Sequence, residues 1–177
     1  MTDTTDNGTS SERIEPDTVP TERTALDQFL DYFRDTLLSK VAGLDTEQAR
    51  REACPPSTLN LLGVVRHMAD VERYWFRNVL IGDPIRPQFY TEADPDLDMQ
   101  PPPGASLDEA VAALRAEIVI ARANADEIEL DTLAAHFRGG TADGNLRWIM
   151  VHMIEEYARH CGHADLLREA LDGQTGD

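Results

Sequence analysis

Residues 146–171 read LRWIMVHMIEEYARHCGHADLLREAL, and apolar residues recur in this stretch every three or four positions. That spacing places them on one face of an α-helix. Asn145 can cap the first turn, and Gly173 is a natural stop after the last one. The stretch therefore predicts a long amphipathic helix. Its apolar face consists of Met150, Met153, Ile154, Tyr157, Cys161 and Ala164.

Three further segments have the same helical spacing of apolar residues. They predict helices over residues 21–42, 59–80 and 106–128. Ser106 and Glu109 form a capping-box sequence at the start of the last of these. Residues 83–105 are rich in Pro and Asp, which is typical of a long crossover rather than a tight turn. With no strand signal, the sequence predicts an all-α four-helix bundle with a long crossover between the second and third helices.

The composition limits the kinds of partner this chain can bind. A length of 177 residues predicts a single domain. The net charge of −17 argues against nucleic acid and against an anionic membrane surface, because both require clustered Lys and Arg. A neutral or cationic small molecule, or an anionic one held by a local arginine, stays open. No apolar run is long enough to span a membrane, and no secretory signal is visible at the N-terminus.

The cysteines and the N-terminal segment give two more expectations. Cys54 and Cys161 are distant and form no CxxC pattern, so a reduced, cytoplasmic setting is expected rather than a disulfide framework. Residues 1–19 have almost no large apolar side chain, which predicts a disordered tail. Residues 20–175 are then the bundle domain.

A candidate metal site combines residues from two predicted helices. Glu156 and His160 are four residues apart and therefore lie one turn apart on the same helix face. His67, on the second predicted helix, adds a third ligand if the two helices pack side by side. Two imidazoles and one carboxylate suit a divalent transition metal with open coordination positions. Taken alone, each histidine is more often a hydrogen-bonded residue at the core edge, so the prediction depends on their convergence.

Other histidines and an arginine are weaker candidates. His163, three residues after His160, could be a fourth ligand or could support a ligand by hydrogen bonding. His152 is interpreted as a structural hydrogen-bonding residue. His136 and Arg138 lie in the loop before the last predicted helix, where they either line a pocket and hold an anionic substrate or are simply solvated.

Aromatic and sulfur-containing residues complete the candidate site. Trp75 and Tyr74, near the end of the second predicted helix, are expected to line a pocket together with that loop. Cys161 lies toward the apolar face and is interpreted as a small buried hydrophobe, not a nucleophile. A di-iron bundle site is rejected, because it requires two Glu-x-x-His motifs and the residue three before His160 is Tyr157.

Two long motifs resemble a known family. Residues 61–76, LLGVVRHMADVERYWF, and residues 152–169, HMIEEYARHCGHADLLRE, resemble the DinB-like superfamily, and in particular an actinobacterial subgroup of unknown function. The resemblance covers about residues 21–175. It implies a four-helix bundle with a long crossover and a three-ligand divalent metal site. It also implies thiol-dependent transferase or isomerase activity with a low-molecular-weight thiol such as mycothiol or bacillithiol.

The resemblance assigns the ligands residue by residue. His67 and His160 match the histidine ligands of the family. Most members have a histidine at the position of Glu156. The mycothiol-dependent maleylpyruvate isomerase branch resembles this chain in having a glutamate there. His163 and Cys161 depart from the Gln and Arg of the family motif, and these departures concern the substrate class rather than the metal ligands.

The expected function is that of a metal-dependent thiol S-transferase or isomerase of the mycothiol type. The resemblance implies mycothiol as cosubstrate, with an electrophile as the other small-molecule partner. We expect the electrophile to be held between the second helix and the crossover. Zinc is expected first, and nickel or iron suits the same ligands. The alternative is a non-catalytic stress protein that binds a metal or a small ligand. The sequence leaves open whether the chain forms a homodimer.

Overall fold

The computed structural model describes residues 13–137 and 144–175. Within them the chain forms helices and no strand beyond two isolated β-bridges, which confirms the all-α bundle. The helices are α1 (Glu22–Val41), α2 (Thr46–Ala49), α3 (Leu61–Arg73), α4 (Leu107–Ala125) and α5 (Leu146–Asp172). A π-helical turn, Tyr74–Val79, continues α3. No described helix combines the length and the apolar composition that crossing a membrane requires.

Polar side chains fix the starts of the helices as the sequence predicts. Asn145 Oδ1 accepts the backbone N–H of Trp148 at 3.0 Å, and Ser106 caps α4 through the N–H of Glu109. At the other end of α5, Gly173 adopts a left-handed φ of 80°, a conformation that glycine reaches at little cost. These caps satisfy backbone groups that a helix end leaves without partners.

Two local features differ from the prediction. The short helix α2 was not predicted, because four residues are too few to show a helical repeat. The second predicted helix was continuous to Leu80, whereas the chain leaves the α-helical pattern after Arg73 and the N–H of Leu80 bonds to the carbonyl of Trp75. The spacing of apolar residues does not show whether a backbone N–H bonds to the carbonyl of the fourth preceding residue, as in an α-helix, or to that of the fifth, as in a π-helix. π-Helical turns of this kind are frequent at functional sites.

The core lies where α1 packs along α5 and α3 packs along α4. The predicted apolar face of α5 is buried except for Ile154, which is partly buried against the core. The largest fully buried side chains include Phe76, Leu62, Met68, Leu114, Met153 and Tyr157. Burial of such side chains supplies most of the stability of a bundle.

A buried ion pair crosses this apolar core. Arg34 on α1 donates two hydrogen bonds to the carboxylate of Glu72 on α3, at 2.7 and 2.9 Å. The hydroxyl of Tyr157 on α5 donates to the same carboxylate at 2.8 Å. Burial and the neighbouring charge of Glu72 raise the pKa of Tyr157 well above its usual value, so the phenol stays protonated. These hydrogen bonds link α1, α3 and α5. Tyr157, the member on α5, directly follows Glu156 in the sequence.

The crossover between the π-helical turn and α4 is held tightly against α3. Arg66 donates to the backbone carbonyls of Leu97 and Asp98, and Asp70 accepts the N–H groups of Gln88 and Phe89 at 2.6 and 2.8 Å. Burial raises the pKa of the Asp70 carboxyl, although these two hydrogen bonds oppose the rise. The crossover therefore lies as a fixed layer over α3 rather than as a free loop.

Gly63 allows the closest approach in this layer. A Cβ at this position would lie 2.2 Å from the carbonyl oxygen of Met99, far inside van der Waals contact. The glycine in the motif of residues 61–76 thus lets the crossover backbone rest directly on α3. This contact places Asp98, the preceding residue, beside His67.

The N-terminal segment lies partly within the described residues. Arg13 donates to the Thr36 hydroxyl at 3.1 Å, and the N–H of Asp17 donates to Gln28 at 2.8 Å, so residues 13–19 lie along α1. Residues 1–12 lie outside the described part of the chain. The domain boundaries at residues 19 and 175 stay a prediction.

Candidate metal centre

α3 and α5 bring together the three residues that the sequence selects as ligands. His67, Glu156 and His160 each offer a ligand atom, and the three atoms lie within 4.8 Å of one another. Nε2 of His160 is 3.7 Å from Oε2 of Glu156, and the rings of His67 and His160 are 4.8 Å apart between centroids. Donors at these separations can converge on one ion. The chemistry of two imidazoles and a carboxylate therefore fits a divalent transition metal.

Burial and neighbouring charges keep the imidazole of His160 uncharged, which is the form that binds a metal. Only 6% of its surface is exposed. Burial lowers its pKa to about 4, with the neighbouring His67, His163 and Arg159 acting in the same direction. At neutral pH the imidazole is therefore uncharged, and no proton must be displaced before a metal binds.

Asp98 supports His67 from the crossover, and sequence reasoning missed it. The Nδ1 of His67 lies 2.8 Å from Oδ2 of Asp98, and Oδ1 of Asp98 accepts the N–H of Met99 at 2.7 Å. Only 4% of Asp98 is exposed. A hydrogen on Nδ1 leaves the lone pair of a neutral imidazole on Nε2, the atom that then faces a metal. Carboxylates of this kind commonly orient a histidine ligand.

Replacing Asp98 with alanine is expected to weaken divalent metal binding by about 10- to 100-fold, because the His67 ring loses its orienting partner. Competition with a chromophoric chelator measures the dissociation constant. Asp96→Ala, which removes an exposed carboxylate of the same segment, is the matched control and should leave the constant unchanged. Equal affinities for Asp98→Ala and wild type, at equal melting temperatures, would show that Asp98 has no part in the site.

His163 and His152 flank the three candidate ligands on α5. Nδ1 of His163 lies 3.5 Å from Nδ1 of His160, on the side of the ring away from Glu156. Nε2 of His152 lies 3.4 Å from Oε1 of Glu156, and its Nδ1 lies 3.3 Å from Glu155. The geometry thus brings each of them next to a different candidate ligand. Their roles in support of those ligands stay predictions.

An aromatic cluster continues from His152. Its ring stacks on Trp148 with centroids 5.0 Å apart, and it meets Trp75 edge-on at 4.6 Å. Phe137 contacts both tryptophans, and Tyr74 meets Trp75 edge-on at 5.3 Å. The cluster forms an apolar wall beside Glu156.

The remaining candidates lie further away. The N–H of His136 donates to the carbonyl of Val79, and its ring lies beside Gly82, at the end of the π-helical turn. Arg138 lies outside the described residues. A cavity of about 620 Å³ opens between α3 and the crossover; its lining includes Tyr74 but, among the described residues, neither Trp75 nor His136. The described lining of the pocket thus comes from α3, the π-helical turn and the crossover.

The surroundings of Cys161 are not those of a nucleophile. The Cys161 thiol donates to the carbonyl of Phe33 at 3.5 Å, and burial raises its pKa to about 12. Cys54 donates to the carbonyl of Leu166, near the C-terminal end of α5. A thiolate at Cys161 is therefore strongly disfavoured at neutral pH, as the interpretation of this residue as a small hydrophobe requires.

Comparison with known proteins supports the resemblance found in the two motifs. A family model described as mycothiol-S-transferase matches residues 25–173. This family lies within the DinB-like superfamily, so the resemblance is confirmed over most of the chain. No curated protein matches the chain.

Proposed function

We propose that this chain, which belongs to the mycothiol-S-transferase family, joins mycothiol through its sulfur to a small electrophile with the help of one divalent cation. The family suggests mycothiol S-transferase-like activity. One observation carries the metal dependence, namely the convergence of donor atoms from His67, Glu156 and His160 within 4.8 Å.

The chain's residues have separate tasks in this proposal. His67, Glu156 and His160 hold the cation, and Asp98 holds His67 in the tautomer that presents Nε2. Zinc is the first expectation, and nickel or iron suits the same ligands. When bound, the cation supplies a local positive charge that favours the thiolate over the thiol at neutral pH.

The nucleophile comes from outside the protein. Cys161 is buried and its pKa is raised to about 12, and Cys54 lies beside the carbonyl of Leu166, outside the group of candidate ligands. In the transfer, the S–H bond of mycothiol breaks and its proton passes to solvent. A C–S bond then forms at the electrophile, and the leaving group departs with the electron pair of the broken bond. In an isomerisation, the sulfur adds to the substrate and leaves again after rearrangement, so mycothiol is returned.

The surroundings of the site favour an enzyme over a sealed metal-binding protein. Buried Asp98 and the crossover exclude water from one side of His67, which strengthens electrostatic interactions there. The cavity between α3 and the crossover offers room for a ligand beside the helix that carries His67. A protein that only stored a metal would not require such a cavity.

A conjugation assay tests this function. Zinc-loaded wild type, mycothiol and 1-chloro-2,4-dinitrobenzene should yield the coloured thioether above the uncatalysed rate. Omitting zinc or mycothiol, or replacing His160 with alanine, should abolish the excess rate, since each removes the means of generating thiolate. His136→Ala is the matched control and should retain the activity. If several electrophiles and metals give no excess rate with wild type, the non-catalytic binding protein becomes the better description.

A further inference from the structure

The cavity between α3 and the crossover begins close to the candidate metal centre. On the helical side its lining starts at Asp70, three residues after His67, and continues to Tyr74 and Asn78. With a rise of about 1.5 Å per residue, Asp70 and Tyr74 stand roughly 5 and 10 Å beyond His67 along the axis. The described lining therefore begins within about one helical turn of the candidate ligand on α3.

The crossover wall of the cavity is fixed to α3, the helix that carries His67. Tyr90 lines the cavity, and its neighbour Phe89 is fixed by Asp70 and Arg66. Burial raises the pKa of Tyr90, and the charges of Asp70 and Asp98 add to the rise. Tyr90 thus directly follows a residue whose backbone is held by two side chains of α3.

The lining carries no net charge and little that would select an ion. Its two carboxylates, Asp70 and Glu92, are matched by Arg73 and Arg86. Asp70 is engaged by two backbone N–H groups, and Arg73 donates to Glu117 and to the carbonyl of Arg86. Asp70 and Arg73 are therefore satisfied within the protein, and they hold the wall in shape rather than attract a charged ligand.

The side chains that face the space suit a polyhydroxylated ligand. Tyr74 and Tyr90 each combine an apolar ring with a hydroxyl, and Thr91 and Arg86 add further hydrogen-bonding groups. The volume of about 620 Å³ lies inside the range of roughly 300–1,000 Å³ found for small-molecule sites. Aromatic faces with hydroxyl and guanidinium groups around them match the alternating faces and edges of a sugar ring.

We propose that this cavity, where the sequence led us to expect the electrophile, instead binds the glucosaminyl-inositol part of mycothiol, with the cysteinyl end directed along α3 toward His67. Mycothiol is an uncharged molecule in which N-acetylcysteine is joined by an amide bond to a glycosidic, polyhydroxylated tail. The volume of the cavity, its distance from His67 along α3 and the absence of net charge on its described lining each suit an uncharged, polyhydroxylated tail. This inference rests on the proposed function and specifies where its thiol substrate is recognised.

Binding of S-methylmycothiol, followed by isothermal titration calorimetry, tests the site without thiolate or turnover. Arg86→Ala and Tyr90→Phe should each raise the dissociation constant about five- to tenfold, the effect of losing one hydrogen bond to the ligand. Arg115→Ala and Tyr32→Phe remove the same groups at positions outside the cavity and should bind as wild type does. Unchanged affinity in both cavity variants, or no binding to wild type, would overturn the proposal.

A kinetic comparison separates this inference from the proposed function. In the conjugation assay, the cavity variants should raise the KM for mycothiol and leave the rate with N-acetylcysteine, which lacks the tail, unchanged. A raised KM for the electrophile instead would assign the cavity to the other substrate and contradict the proposal. If conjugation fails altogether while S-methylmycothiol still binds in a cavity-dependent way, the proposed function is wrong and the binding site stands.

Discussion

Alanine in place of His67 or His160 is expected to weaken binding of a divalent cation by about a hundredfold or more. Structural zinc sites with four ligands bind with about 10–16 kcal/mol, so one ligand contributes on the order of 3 kcal/mol. Both imidazoles belong to the group whose ligand atoms lie within 4.8 Å of one another. Neutral His160 in particular needs no deprotonation before it binds.

Metal content after dialysis against a metal buffer measures this loss. His136→Ala removes an imidazole that lies at the end of the π-helical turn and should keep the wild-type content. Far-UV circular dichroism should show a helical fold in all variants, because the apolar core does not include the ligands' coordinating atoms. Full metal retention in His67→Ala would remove that residue from the site.

Replacing Glu72 with alanine is expected to lower the free energy of unfolding by about 3–5 kcal/mol, because the buried Arg34 guanidinium then keeps only the exposed Asp31 as counterion. The Arg34 and Glu72 side chains are 4% and 0% exposed, and Tyr157 loses its acceptor in the same variant. A loss of this size is a large fraction of the stability of an ordinary domain.

Urea unfolding gives the midpoint and slope from which this free energy follows. Glu169→Ala removes an exposed carboxylate from α5 and should change stability by less than about 0.5 kcal/mol. A variant with methionine at both positions 34 and 72, combined with Tyr157→Phe, should recover much of the loss, since apolar groups then replace the charges. Glu72→Ala with wild-type stability would show that the buried pair is not a stabilising element.

The helices could be predicted from the sequence because their signals are local. The spacing of apolar residues marks each helix, and the capping residues Ser106, Asn145 and Gly173 mark helix ends. Each of these signals lies within a few residues of the feature that it predicts. The π-helical turn could not be predicted, because the shift from the fourth to the fifth preceding carbonyl leaves the apolar pattern almost unchanged. The short α2 was too brief to show any pattern.

The candidate site could be predicted only in part. Glu156 and His160 follow from spacing on one helix, whereas their distance from His67 depends on how α3 packs against α5. Asp98 was missed because it lies 31 positions from His67 in a segment without periodicity. Arg34 and Glu72 were missed because charged residues are assumed to face solvent unless a specific partner is known.

X-ray absorption at the zinc edge, recorded before and after adding mycothiol, tests the central claim most directly. The zinc-loaded protein should show only nitrogen and oxygen neighbours at first, as expected for two histidines and a glutamate. Mycothiol should then add one sulfur neighbour at about 2.3 Å. A spectrum that mycothiol leaves unchanged, or a sulfur neighbour present before it is added, would contradict the assignment of this site as the place where the thiol is activated.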